Sequence, residues 1–371
     1  MSARRAAFVL AVFLLSLLLG LIPVAFAADV EWIKDPGNPI ISPTPDGWDA
    51  DFTTTPRALF DGAMFRMWFV GGRSGGTGIG YANSSDGITW NKYASPVLLP
   101  GPSGAWDSPQ IGLGSVVWNG TRFLMWYSGS SPVAFPNGAV GLATSSDGIS
   151  WVKYSGNPVL KPSEIDQKYL SSPFVVRMNI SYSMWYTGKS ASDPDALQIT
   201  RILYATSFDG ITWYKRPSAV LSPSTNPQAW DSGSVYSPSV IFDGTNFGMW
   251  YSGLNGSYAS PRIGFATSPD GATWNTSAVK NPILNPGSQG SWDMAGVEQP
   301  SVVVGNGFML YYDGTSGSAS TRIGLARAPQ GFTIPEFPPP ASILILGVSI
   351  LAVACLTRRQ ETVIRKGTDG K

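Results

Sequence analysis

What most constrains this chain is that it repeats itself. The signature SSDGITW (84–90) returns as SSDGISW (145–151), SFDGITW (207–213) and SPDGATW (268–274), with Trp90, Trp151, Trp213 and Trp274 at corresponding places. A second ladder runs through RMWFVG, LMWYSG, SMWYTG, GMWYSG and MLYYDG, at Trp68, Trp126, Trp185, Trp250 and Tyr311. A third runs through GWDA, AWDS, AWDS and SWDM, at Trp48, Trp106, Trp230 and Trp292; the third unit departs from it with EIDQ at 164–167. A fixed period of about sixty residues marks a repeat architecture in which no unit buries its apolar face alone.

Each unit reads as four short strands. Asp-Gly between alternating apolar runs is the strongest short hairpin signal, because the tight turn needs positive φ at its centre. A twisted four-stranded sheet repeated about an axis is a propeller blade. Charged residues make up only 13% of the chain, beside 42 Gly, 30 Pro and 14 Trp, which suits many short strands joined by turns. The expected fold is therefore all-β, a propeller over residues 28–333.

The blade count comes from the two ends of that region. EWIKDPGNPII (31–41) is written like the closing strand of a unit, yet it precedes the first one. The last unit, from Pro300 to about Ala328, ends in APQGF without a Trp-bearing fourth strand. The segment around Trp32 is expected to complete that blade and close a five-bladed ring, removing the edges an open sheet would expose.

Composition narrows the chemistry. Lys plus Arg number 25 against 24 Asp plus Glu, so no net field draws nucleic acid, and no charge block suggests a binding tail. The absence of histidine removes Ser-His-Asp catalysis and His-ligated metal sites. The single cysteine, Cys355, lies in an apolar run, which leaves neither disulfides nor thiol catalysis. Acid and base work falls to carboxylates, with Lys or Tyr as lesser candidates.

Both ends read as addresses. Arg4, Arg5, the apolar run 7–23 and Ala25-Phe26-Ala27 form a secretory signal (1–27), with a retained signal anchor as the alternative. A Pro-rich linker (334–340) leads to an uncharged stretch (341–357), at the short end of the about 17–25 residues that span a bilayer. Arg358, Arg359 and Lys366 place the tail (358–371) inside and the propeller outside the cell. The order Pro335-Glu336-Phe337, apolar span, Arg pair resembles the tripartite PEF-type sorting signals of archaeal surface proteins, in which the tail is cut; a plain transmembrane anchor is the other reading. Sequons at Asn83, Asn119, Asn179, Asn255 and Asn275 are compatible with an exported surface.

Blade order puts the Asp-Gly turns on one face. The Trp-Asp loops and the length-variable loops between second and third strands share the other, where a site usually lives. The SxDGxTW motif resembles the Asp-box of sialidases, one residue shorter, and like it reads as scaffold. All tryptophans except Trp118 fall on the three ladders and read mainly as packing. Asp49, Asp107, Asp231 and Asp293, each beside its ladder tryptophan, either cap their loops or line a shared cavity. In the latter case Trp48, Trp106, Trp230 and Trp292 would contact substrate with them. Asp51, Glu164, Asp166 and Glu298 are carboxylates that break the repeat. Together with Asp107 they are the catalytic candidates, because a pair about 5–5.5 Å apart suits a retaining glycosidase and about 6.5–9.5 Å an inverting one.

The ATSPDGATW hairpins and xPSVV inner strands resemble the five-bladed glycoside hydrolase superfamily of families 32, 43, 62 and 68 over nearly all of residues 29–333. That resemblance implies an Asp before an inner-strand Pro in early blades and a later Glu as general acid. Here Thr55, Ser172, Ser237 and Gln299 precede those prolines, the second blade has GLGSVV, and only Glu298, one place further back and in blade five rather than blade three, resembles the acid, so the family triad does not map position by position. Two readings stay open: a surface carbohydrate-active enzyme using displaced carboxylates, or a non-catalytic propeller that binds glycans or protein partners. The expected partners are a glycan and, through the anchor, a membrane, but no nucleic acid; the expected state is a monomer. No cofactor is expected; calcium in the channel is conceivable, though no loop shows calcium-ligand spacing.

Overall fold

The computed structural model describes residues 32–328, apart from 133–134, 194–198, 258–259, 278, 306 and 318–319, with the backbone alone at 135–137. The expected signal, linker, apolar span and basic tail lie outside the described residues.

Strand β1 (Ile33–Lys34) stands apart in sequence from the sheet it joins. Blade one holds β2 (Phe52–Phe60), β3 (Phe65–Arg73), β4 (Gly76–Ser84) and β5 (Asn91–Lys92). Blade two holds β6 (Gln110–Trp118), β7 (Phe123–Ser131), β8 (Phe135–Ser145) and β9 (Val152–Lys153). Blade three holds β10 (Tyr169–Arg177), β11 (Tyr182–Lys189), β12 (Arg201–Ser207) and β13 (Tyr214–Lys215). Blade four holds β14 (Ser234–Phe242), β15 (Phe247–Leu254) and β16 (Arg262–Ser268), its fourth strand reduced to the bridge Thr267–Asn275. Blade five holds β17 (Gly296–Gly305), β18 (Gly307–Thr315) and β19 (Thr321–Arg327), with β1 outermost in the order β1-β19-β18-β17.

The ring closes as the sequence predicts. Ile33 pairs with Arg327 and Lys34 with Ala326, antiparallel, and Ile41 bridges to Ile323. Trp32, 8% exposed, then meets Trp250 of blade four edge-on at 6.2 Å and Phe308 of its own blade at 6.5 Å.

Neighbouring blades are stitched by the tryptophans of the second strands. The Nε1–H groups of Trp68, Trp126 and Trp185 donate to the carbonyls of Gly148, Gly210 and Gly271 in the next blade's hairpin, at 2.8, 2.9 and 2.7 Å. Tyr311 donates its hydroxyl to Gly87 at 2.9 Å, so the ring is stitched across its junction too. The hairpins that receive them are self-contained: Asp86 accepts the Ile88 and Thr89 N–H groups at 2.8 Å each, and Ser84 caps Gly87. Those amides hold the Asp86 carboxyl down to about 2, and the hairpin aspartates are scaffold.

The inner strands β2, β6, β10, β14 and β17 pack against one another around the axis. Each carries a bulge, and in four of them the residue before the proline sits in the left-handed region: Thr55 (φ 53°), Ser172 (49°), Ser237 (49°) and Gln299 (55°). Bulges re-aim side chains and gather beside functional sites.

Candidate active site on the propeller axis

The third residue of each inner strand, just ahead of the bulge, forms one level of the axis: Thr54, Gly112, Ser171, Tyr236 and Glu298, all half-buried, with Leu113 between Gly112 and the bulge in blade two. Their register partners on the second strands are Val70, Ser128, Thr187, Ser252 and Asp313. Four blades thus place apolar, hydroxyl or glycine groups at this level, and blade five places two carboxylates there. The level lies near the start of the inner strands, on the face that carries the Trp-Asp loops.

Glu298 and Asp313 are directly opposite across β17 and β18, with Cβ atoms about 4.5–5.5 Å apart, as such pairs require. The Tyr236 hydroxyl reaches from blade four and donates to Glu298 Oε2 at 2.6 Å. Burial pushes the Glu298 pKa up, and the tyrosine bond only partly offsets it. Asp313, 1% exposed, accepts the Thr55 N–H at 2.9 Å and the Thr54 hydroxyl. Its pKa is driven well above the usual range, first by burial and further by the neighbouring Glu298. Burial thus disfavours the charged form of both carboxyls, and Glu298 is the member that keeps accessible surface.

Asp313 also carries a structural duty. Its bond to Thr55 N–H reproduces those of Thr187 to Ser237 N–H and Ser252 to Gln299 N–H, both 2.9 Å, by which one blade's second strand caps the next blade's bulge. A hydroxyl serves at the junctions of blades three and four and of blades four and five; at the junction of blades five and one the cap is a carboxyl. Below it Arg57, 2% exposed, donates to the carbonyls of Gly114 in blade two, Pro56 in blade one (2.8 Å) and Pro300 in blade five (3.3 Å). Its guanidinium lies 5.9 Å from the Phe174 ring of blade three. Burial lowers the Arg57 pKa to about 10, with Asp313 acting in the opposite sense.

Of the carboxylates expected at the site, Glu298 alone is in it. Asp51 is exposed and caps the β3–β4 loop through Ser74 N–H at 2.7 Å. Glu164 is exposed on its loop. Asp107 is buried against Lys153 (2.6 Å) and the Tyr127 hydroxyl (3.1 Å). Asp166, expected to lack an equivalent, is the third-blade copy of the same aspartate: it binds Lys215 and the Tyr186 hydroxyl (3.0 Å). Asp49, Asp231 and Asp293 occupy the corresponding places beside Lys92, Tyr251 and Lys34. All five brace a blade rather than face the axis, because the Trp-Asp loop returns along its own sheet before entering the inner strand. Their tryptophans do the same: Trp48, Trp106, Trp230 and Trp292 lie on glycines of their own blades, Gly71, Gly129, Gly253 and Gly314.

Sequence reasoning missed Asp313, Tyr236 and Arg57. Asp313 had a signal: it is the carboxylate in the ladder RMWFVG, LMWYSG, SMWYTG, GMWYSG, MLYYDG, at a place where the other units carry Val, Ser, Thr and Ser. Tyr236 and Arg57 had none, since their roles arise only between blades.

No protein-family model matches the chain. It is 30% identical over 277 residues to the uncharacterized protein MT1551 of Mycobacterium tuberculosis, a match spanning 72% of this chain and 88% of that protein. It is 24% identical to the beta-1,2-mannobiose phosphorylase of a Thermoanaerobacter species, across 62% of this chain and 74% of the enzyme. Among solved structures, one of the GH130 family, described as mannoside phosphorylases containing hydrolases of beta-1,2 mannosidic linkages in Candida mannan, superposes with a TM-score of 0.65 at 18% identity, covering 85% and 98% of the two chains. The fold is thus a propeller with GH130-like glycoside hydrolase neighbours; families 32, 43, 62 and 68 are not singled out.

Proposed function

The chain belongs to the family of the mycobacterial protein MT1551, and from that premise and its axial acid pair we propose that it cleaves glycosidic bonds with Glu298 as the general acid. The single observation that carries this is the pairing of Glu298 with Asp313: two carboxyls raised in pKa at one level of the axis, one of them accessible. A glycosidic oxygen needs a proton as its bond breaks, and a carboxyl whose pKa burial has raised is suited to give it.

Both acids sit in one blade, on one side of the channel. A hydrolase usually flanks the scissile bond with a second carboxylate, and among the described residues no other carboxylate lies at this level. Phosphate attack needs no base to activate it, so phosphorolysis fits the one-sided arrangement, and the phosphorylase relative supports it. The same one-sidedness favours a second reading, a glycan-binding propeller that holds sugar hydroxyls on Glu298 and Tyr236. Export and surface anchoring are proposed from the residues at 1–27 and 341–359, which would make the substrate an extracellular glycan.

The test is turnover of beta-1,2-linked mannobiose and longer oligosaccharides with and without inorganic phosphate, for the natural chain and Glu298→Gln. Product that requires phosphate and disappears in the variant supports the phosphorylase. Binding without turnover, unchanged in the variant, would instead identify a binding module that does not use the pair.

A further inference from the structure

One device recurs in blades one, two, three and five and is altered in blade four. In blades one, two, three and five a lysine on the outermost strand reaches back to the buried aspartate of the Trp-Asp loop: Lys92 to Asp49 and Lys153 to Asp107 at 2.6 Å, Lys215 to Asp166, and Lys34 to Asp293 at 2.5 Å. Each ammonium also lies over a second-strand aromatic ring, 5.9 Å from Phe69, 5.6 Å from Tyr127, 5.9 Å from Tyr186 and 5.8 Å from Tyr312. Further oxygens complete the cradle. Lys92 Nζ donates to the Ser42 carbonyl at 2.7 Å, and Lys215 Nζ to the Lys161 carbonyl at 2.6 Å and to Ser163 Oγ at 3.2 Å.

Blade four keeps the buried aspartate and the tyrosine but lacks the lysine, and its Ser224 Oγ accepts the Asn226 N–H at 3.3 Å. Asp231 is 8% exposed and accepts the Tyr251 hydroxyl at 3.0 Å, as its counterparts accept Tyr127 and Tyr186. LSPS (221–224) aligns with LKPS (160–163), so Ser222 and Ser224 hold the places of Lys161 and Ser163. The outer strands, however, read EWIK, TWNK, SWVK, TWYK and, in blade four, TWNT. Thr276 stands where the lysines stand and is too short to reach the aspartate. Among the described residues Asp231 makes no ion pair, and Lys280, the next cation along the strand, is exposed.

We propose that blade four binds a free monovalent cation of the ammonium and potassium class, held by Asp231 with the Ser222 carbonyl and Ser224 Oγ over the Tyr251 ring. Removing one partner of a buried ion pair leaves an uncompensated charge, which is strongly destabilising; here a solution cation supplies the missing partner. One carboxylate with neutral oxygens and an aromatic face suits a weakly hydrated single charge. Calcium, by contrast, takes six to eight oxygens and draws on several carboxylates. Burial raises the Asp231 pKa, consistent with a carboxyl that lacks a side-chain cation.

The experiment is thermal unfolding of the full chain at pH 7 in potassium, ammonium or tetraethylammonium chloride at equal ionic strength, with Thr276→Lys and Asp231→Asn alongside. The small cations are expected to raise the midpoint by about 2–4 °C in a saturable way. Thr276→Lys should reach the raised midpoint in every salt and lose the response, because its own ammonium fills the cradle. Equal midpoints for the natural chain in potassium and tetraethylammonium overturn the proposal. So does a potassium response that survives in Thr276→Lys. Should Asp231→Asn fail to fold, the Thr276→Lys arm decides by itself.

Discussion

Leu203 lies over Gly188 in blade three, in the space that an indole fills in the other blades. The exchange is reciprocal. At the place of Leu203 those blades carry Gly80, Gly141, Gly264 and Gly324, each pressed against Trp48, Trp106, Trp230 or Trp292, while blade three has Ile165 where they have tryptophan. Leu203→Gly is expected to cost about 3–5 kcal/mol, from lost burial and the cavity left behind. Adding Ile165→Trp should recover much of it, although that change alone would clash with Leu203. Urea unfolding of the two single variants and the double variant measures the coupling.

Acid and neutral pH should act on stability through different groups. Asp86, Asp209 and Asp270 have folded pKa values of about 2 against a usual 3.8, and Asp147 is also lowered. Their contribution is present above about pH 4 and is lost as pH falls through the folded values. Glu298 and Asp313 are raised, so theirs is full below about pH 4 and fades as pH rises through their folded values. Urea midpoints from pH 2 to 9 should therefore peak on the acid side of neutrality. Asp313→Asn should flatten the decline above the peak while leaving the acid limb in place.

Thr55 is β-branched yet held at φ 53°, a conformation that costs an ordinary residue about 1–2 kcal/mol. Thr55→Gly relieves that strain and keeps the N–H that Asp313 accepts, but adds chain entropy to the unfolded state, roughly 0.5–1 kcal/mol. The expected net effect is neutral to about 1 kcal/mol stabilising. A loss above about 1 kcal/mol in chemical denaturation would show that the threonine hydroxyl or methyl matters more than the backbone.

Tyr236 donates to Glu298, and that bond favours the carboxylate over the acid. In Tyr236→Phe the Glu298 pKa should rise further, shifting the alkaline limb of glycan turnover or binding to higher pH. A pH profile that keeps its limb while losing amplitude would assign Tyr236 to packing alone.

Closure of the ring combines the two-residue pairing of β1 with backbone bonds from Asp35, Ile40 and Ile41 to Leu325 and Ile323. Trp32 adds an aromatic anchor through Trp250 and Phe308, and Trp32→Ala is expected to cost about 3–5 kcal/mol. Limited proteolysis should first cut the loosened segment around 33–41, and unfolding should lose cooperativity between blades five and one.

The ladders of tryptophan, the Asp-Gly hairpins and the misplaced EWIK segment were enough to establish five blades, their strand order and their closure. These are local patterns repeated at a fixed period, and repetition averages away the ambiguity of any single unit. The exchange of Trp for Ile in the third unit was visible, but its Leu203 counterpart gained meaning only once Leu203 proved to lie over Gly188, where the other blades place an indole. The axial site followed other rules. Glu298 stood out in the sequence as a carboxylate that broke the repeat, yet so did Asp51, Asp166 and Glu164, and only the register across β17 and β18 selected its partner Asp313. Burial, the bond from Tyr236 in another blade and the guanidinium of Arg57 among four blades depend on strands brought together around an axis. A chain read along its length carries periodicity; which acids share one level, and with what charge, is set where separate blades meet.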